Sequence, residues 1–157
     1  MPGCLFDTNV WLAVLFPSHP FHPQARKVLG EVTKAKPAVF CRATQQSFLR
    51  LATTSALLTA YSAQGMSNRD ALVAYDALLA LPQVCERDES PGVSALWRTI
   101  ADTNTASPKL WMDAYLAAFA IRGNLEFVTL DRDFNNFVRH GLELKSIRDQ
   151  VFPRQNG

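Results

Sequence analysis

The feature that most restricts how this chain can fold is an alternation between two periodicities. Short, almost wholly apolar runs recur between longer segments whose apolar residues return every three or four positions. The runs are "CLF" at residues 4–6, "PAVFCR" at 37–42, "QVCER" at 83–87, "LEFVTLD" at 125–131 and "LELKSI" at 142–147. Between them lie helical patterns. Val10 to Phe16 is a short apolar stretch, Gln24 to Lys34 carries Ala25, Val28, Leu29 and Val32 on one face, and a helix is expected from Thr44 to about Leu58. Ser67, with Asp70 three residues on, starts a helix bearing Ala71, Leu72, Tyr75, Leu78 and Leu79, which Pro82 closes. Val93 to Thr103 has Val93, Leu96, Trp97 and Ile100 in register, and a last helix from about Pro108 to Arg122 stops at Gly123-Asn124. Strands alternating with helices specify an α/β domain around a mainly parallel sheet of about four or five strands. In such sheets ligands bind beyond the carboxyl ends of the strands.

The 157 residues fill a single domain, 1–157, and no linker, repeat or low-complexity tract divides it. A content of 48% hydrophobic and 19% charged residues belongs to a folded soluble domain, not to a disordered one. The net charge of +2 admits a polyanionic partner without demanding one. Cys4, Cys41 and Cys85 have neither CxxC pairing nor His ligand spacing, so they read as reduced thiols of a cytoplasmic protein. Asp7 interrupts the first apolar segment and no basic residue precedes it, so no secretion signal is expected, and no run is long enough to span a membrane.

Three acids stand where an acid needs a reason. Asp7 follows the first strand and precedes an apolar helix; Asp131 follows "FVTL" in the same way. Helix capping accounts for either alone, since Asp oxygens accept bonds from free backbone amides. Asp113 shares a helix face with Leu110, Leu116, Ala117 and Ala120, and Lys109, four residues before it, is its only nearby charge. A solvated pair with Lys109 explains Asp113 equally simply. The helix, however, is apolar almost all round, and a buried carboxylate needs a cation or hydrogen bonds to stay ionised. Taken together, clustered carboxylates repel unless a cation lies among them. Hard oxygen donors of this kind suit Mg²⁺, with Mn²⁺ as the alternative. The chemistry this enables is phosphodiester hydrolysis. Asp133, two residues past Asp131, reads as a turn or cap at the start of a helix entered at Phe134.

"LFDTNVWL", "TQQSFLRLATT", "DAYLAAFA" and "FVTLDRDF", in this order over nearly the whole chain, resemble the PIN-domain nucleases, and among them the VapC-type toxins of VapBC toxin–antitoxin pairs. The resemblance implies a three-layer α/β/α sandwich and a Mg²⁺- or Mn²⁺-dependent endoribonuclease that cuts structured RNA, tRNA or rRNA, and stops translation until a VapB-type antitoxin restrains it. It places Asp7, Asp113 and Asp131 on the family's catalytic, metal-holding acids. Thr8 and Asn9 fall on the small polar positions supporting the first acid, and Asp133 on an additional acid of some relatives. The chain departs from the pattern once: near the start of the "FLR" helix it has Gln45 where the family usually has Glu. Gln supplies an oxygen but no charge. If Gln45 faces the acids, Mg²⁺ binding is weakened and Gln45→Glu strengthens it; Asp133, Glu86 and Asp88 are the candidates to compensate.

Among the cations, Arg42 at the end of the second strand is the expected RNA contact; Arg50, Lys109 and Arg132 read as surface charges. His19 and His22 read as loop residues. Trp11, Trp97 and Trp111 read as core or as contact with a second copy, and a homodimer is the expected assembly. The helix carrying Leu51, Leu57 and Leu58 looks more apolar than a core requires, so the antitoxin is expected there, placing a basic side chain among uncompensated acids. A catalytically silent RNA-binding PIN protein is the alternative function, for which Gln45 is the support. A phosphatase with a second Asp two residues after the first is disfavoured, because Asn9 stands there.

Overall fold

In the computed structural model, which describes residues 3–61 and 65–148, five short strands form one parallel sheet. They are β1 (Cys4–Phe6), β2 (Ala38–Phe40), β3 (Val84–Glu86), β4 (Glu126–Thr129) and β5 (Leu144–Ser146), in the order β3-β2-β1-β4-β5. Cys4 is opposite Ala38 on one side and Glu126 on the other, and Leu5 is opposite Val39 and Phe127. Successive side chains alternate between faces, so each strand feeds two cores. Phe6, Phe40 and Val128 pack under α1 (Thr8–Leu15), α2 (His22–Glu31), α3 (Arg42–Ala52), α4 (Ser55–Ala60) and α5 (Asn68–Leu79). Leu5, Val39 and Phe127 pack under α6 (Val93–Ala101), α7 (Leu110–Arg122) and a 3₁₀ helix over Arg132–His140. The result is the expected three-layer sandwich. No helix among the described residues is long and apolar enough to cross a membrane.

Several boundaries differ from expectation for local reasons. The helix expected from Thr44 to Leu58 is two helices. Thr53 Oγ1 donates to the Leu49 carbonyl at 2.9 Å and Thr54 Oγ1 to the Arg50 carbonyl at 2.7 Å, so side chains take over the last-turn acceptors and the helix ends. Leu58 is buried, and Leu51 and Leu57 pack against the same core, so this segment has no spare apolar face. The second helix begins at His22, with Pro23 in its first turn, and ends where Val32 turns extended. The last helix starts at Leu110 with Lys109 as its cap, not at Ser107-Pro108. Past Asp131 the chain winds as a 3₁₀ helix. At the end of α7, Asn124 and not Gly123 takes the left-handed conformation, at φ 52°. Gly123 sits in close quarters: a Cβ there would meet the Phe119 carbonyl oxygen at 3.0 Å, and the turn would have to give by a few tenths of an ångström.

Strand order positions the site. From β1 the chain moves to β2 and β3 on one side, then crosses back to β4 on the other. The carboxyl ends of β1 and β4 therefore flank the point where the order reverses, the usual crevice of such sheets.

Trp11 anchors α1 to the sheet. It is fully buried, and its ring stacks on Phe40 with centroids 3.9 Å apart and planes 9° apart. Its Nε1 has no hydrogen-bond partner among the described residues. Trp11→Ala should cost about 3–5 kcal/mol through the void it leaves. Trp11→Phe should cost less than half of that, because it keeps the stack and removes an unpaired buried N–H. Urea midpoints at unchanged slope give both values.

Candidate active site

Asp7 caps α1, and both of its oxygens are held. Oδ1 accepts from the Thr8 amide at 2.8 Å, and Oδ2 accepts from the Thr129 hydroxyl at 2.7 Å. The same Thr129 Oγ1 accepts from the Asp131 amide at 3.0 Å. One hydroxyl thus ties the ends of β1 and β4 to each other and sets two acids side by side. Asn9 adds a third link, its Oδ1 accepting from the Leu130 amide at 3.4 Å. Of the two residues after the first acid, Thr8 bonds it through its backbone amide, whereas Asn9 bonds Leu130 and not Asp7. Thr129 stands two residues before Asp131 in the sequence, but nothing there gave it a role.

Asp131 caps the 3₁₀ helix; its Oδ1 accepts from the Asp133 amide at 2.9 Å. Asp113 enters from the first turn of α7. Lys109 faces Asp113 as expected, with Nζ to Oδ2 at 3.5 Å, but it binds two others more closely: Asp131 Oδ2 at 2.7 Å and Asp133 Oδ2 at 2.9 Å. The acids are therefore not uncompensated, and a basic side chain already lies among them. Lys109 is exposed, as a surface charge is, yet it bridges three carboxylates; its spacing of four from Asp113 was the available sign.

The charges respond accordingly. Burial pushes Asp7 up to about 6 against the pull of its two hydrogen bonds, with Asp113 and Asp131 adding to the rise. Burial also raises Asp113, opposed by Lys109 and reinforced by Asp131. Burial acts upward on Asp131 too, yet the Lys109 ammonium and the Asp133 amide hold it below the usual carboxylate value. Bonds to Asp131 and Asp133 raise Lys109.

Among the described residues no three His, Cys, Asp or Glu side chains form a ready-made metal cage. The donor set nonetheless fits a hard divalent cation. Asp7, Asp113 and Asp131 are all carboxylates, the latter two both raise Asp7, and a cation already lies against two of them.

Gln45 belongs elsewhere. Its Nε2 donates to Tyr75 Oη at 3.1 Å and to Glu86 Oε1 at 3.0 Å, while its Oε1 accepts from Arg42 and from Gln46. Tyr75 donates to the same Glu86 oxygen. This cluster, with Arg87 and Asp88, lines a small cavity at the carboxyl ends of β2 and β3. None of these bonds reaches Asp7, Asp113 or Asp131, so the condition that Gln45 faces the acids finds no direct contact here, and Glu86 is engaged by Gln45 and Tyr75. Arg42 joins the cluster to a wider groove bordered by Trp97, Trp111 and Met112. Trp11 lies in the core, whereas Trp111 is exposed. His19 lies in a loop, while His22 opens α2 and its Nδ1 pairs with the Ala13 carbonyl.

A family model described as PIN domain matches residues 4–139. The chain is 42% identical over 142 residues to Ribonuclease VapC41 of Mycobacterium tuberculosis, covering 90% of this chain and 96% of that one. In fold it is similar to VapBC2 from Rickettsia felis, solved bound to a DNA fragment from their promoter, with TM-score 0.63 and 14% identity, covering 91% of this chain and 97% of that one. It is also similar to Mycobacterium tuberculosis VapC20, described as a Sarcin-Ricin loop cleaving toxin, with TM-score 0.57 and 14% identity over 85% of this chain and 94% of that one.

Because Asp7 is protonated more readily in the folded chain than in the unfolded one, its burial weakens the fold as pH rises from about 4 to about 6. In EDTA at pH 7.5, Asp7→Asn should therefore be more stable than the parent by up to about 3 kcal/mol. The advantage should shrink between pH 6 and 4 and vanish below, which urea titrations across that range will read.

Proposed function

The chain belongs to the PIN-domain family, and from that membership we propose that it is a Mg²⁺- or Mn²⁺-dependent endoribonuclease, the toxin of a type II toxin–antitoxin pair. Its substrate class is structured cytoplasmic RNA, tRNA or rRNA, whose cleavage stops translation. The observation that carries the proposal is the linkage of three acids from distant parts of the chain beyond the carboxyl ends of β1 and β4: Thr129 joins Asp7 to Asp131, and Lys109 joins Asp131 to Asp113. Identity of 42% to a relative named a ribonuclease supports the reaction class. Relatives that carry the VapC name support a VapB-type antitoxin as the partner. The exposed Trp111 and Met112 offer an apolar contact for a homodimer.

Asp7, Asp113 and Asp131 would hold the divalent ion, with Asp133 at the rim. When bound, such an ion lowers the pKa of water and offsets the charge that develops on the phosphate. The chain does the positioning. Thr129 and the Thr8 amide lock Asp7 in one rotamer, the Asp133 amide orients Asp131, and α7 presents Asp113 from a rigid element. Arg42, at the carboxyl end of β2, lies along the same edge of the sheet and is placed to meet RNA phosphate.

Asn at Asp7, Asp113 or Asp131 should abolish RNA cleavage and growth arrest on induction while leaving a folded protein. Mapping RNA ends after a short induction measures the first, and circular dichroism the second. Near-parental cleavage by Asp7→Asn or Asp113→Asn would sink the assignment.

Gln45→Glu sets a second carboxylate about 3 Å from Glu86 instead of near the metal acids. It should leave the Mg²⁺ concentration for half-maximal cleavage unchanged and cost about 1 kcal/mol of stability by like-charge contact. A lowered half-maximal concentration would return Gln45 to the metal site.

A further inference from the structure

Lys109 occupies an unfavourable position by local rules. It caps the N-terminus of α7, where the positive end of the helix dipole disfavours a cation. Burial does not hold it there either, since its side chain is 60% exposed. What holds it is three carboxylates from two segments: Asp131 Oδ2 at 2.7 Å, Asp133 Oδ2 at 2.9 Å and Asp113 Oδ2 at 3.5 Å. Two of those three acids are the ones assigned above to the divalent ion.

We propose that Lys109 is the resident cation of the metal-free acid cluster and that divalent-ion binding is an exchange in which its ammonium is displaced. The inference rests on the metal reading of the preceding subsection. An ammonium hydrogen-bonded to Asp131 Oδ2 and a dication bound by the same carboxylate repel each other at a few ångströms. They therefore compete for the same oxygens. The four-carbon stem and its exposure let the ammonium leave without disturbing the helix. Asp7, which Lys109 does not touch, keeps its place throughout, anchored by Thr8 and Thr129. Lys109 is thus a positioning residue. It holds Asp113 and Asp131 close together before metal arrives, at the expense of metal affinity.

The test titrates Mn²⁺ into metal-free protein at low ionic strength, following free Mn²⁺ by electron paramagnetic resonance, with no RNA present. Lys109→Met should bind Mn²⁺ about tenfold more tightly than the parent. Lys109→Arg, which retains the charge, should bind within about twofold of it. Arg87→Gln removes a cation from the β3 end of the same sheet edge, and should also stay within about twofold. Melting in EDTA supplies a second readout: Lys109→Met should melt below the parent without metal and gain more from Mn²⁺ than the parent does. Equal or weaker Mn²⁺ binding by Lys109→Met overturns the exchange while leaving the metal site standing. Tightening by Arg87→Gln as large as that by Lys109→Met also overturns it, by showing a general field effect. Absence of Mn²⁺ binding by parent and variants alike, or binding untouched by Asp113→Asn, overturns the metal reading and the exchange with it.

Discussion

A single hydroxyl joins the architecture of this PIN domain to its chemistry. Thr129 Oγ1 donates to Asp7 and accepts from the Asp131 amide, so the last residue of β4 fixes one acid at the end of β1 and the backbone of another beyond itself. The register of β1 against β4 brings the group into reach: Phe6 is opposite Val128, and the Asp7 amide extends the ladder by donating to the Val128 carbonyl at 2.9 Å. Slippage by one residue would turn Thr129 to the other face of the sheet and leave Asp7 buried with one bond fewer. The apolar sides of β1 and β4, packed into two separate cores, make such slippage costly. Precision at the acids is thus inherited from burial in the layers around them.

Much of this was legible in the sequence because short parallel strands buried on both faces have few ways to look. The five runs, the alternation with helices and the two strand-end acids follow from composition and period alone. The capping box of Ser67 and Asp70 was visible for the same reason, since both partners lie within four residues. What escaped notice depends on contacts between distant residues or on competition for backbone acceptors. The break at Thr53-Thr54 arises because Thr hydroxyls can either face solvent or take the Leu49 and Arg50 carbonyls, and period does not distinguish these. The role of Lys109 required knowing that Asp131 and Asp133 arrive beside α7 from more than twenty positions away.

Gln45 shows the limit of matching positions without geometry. Helix α3 is placed as the family pattern implies, starting at the carboxyl end of β2, but the Gln45 amide has two partners on a neighbouring helix and strand. An amide can donate to Tyr75 and Glu86 while accepting from Arg42; a carboxylate there could accept but not donate. The substitution therefore suits the Glu86 cluster, and burial together with the Glu86 bond raises the Tyr75 phenol well above its ordinary value. Asp133, from the same turn as Asp131, is joined to Asp131 and Asp113 through Lys109.

The bond between Asp7 and Thr129 spans 122 positions of the chain. A parallel sheet whose central strand β1 pairs with β4, more than a hundred residues later, cannot close until β4 has been made. Up to that moment the emerging polypeptide holds Asp7 but lacks Asp131, Thr129 and the strand that aligns them. A product terminated before β4 carries no assembled acid cluster. Late closure of the sheet thus keeps these acids apart until the strand that joins them has been made.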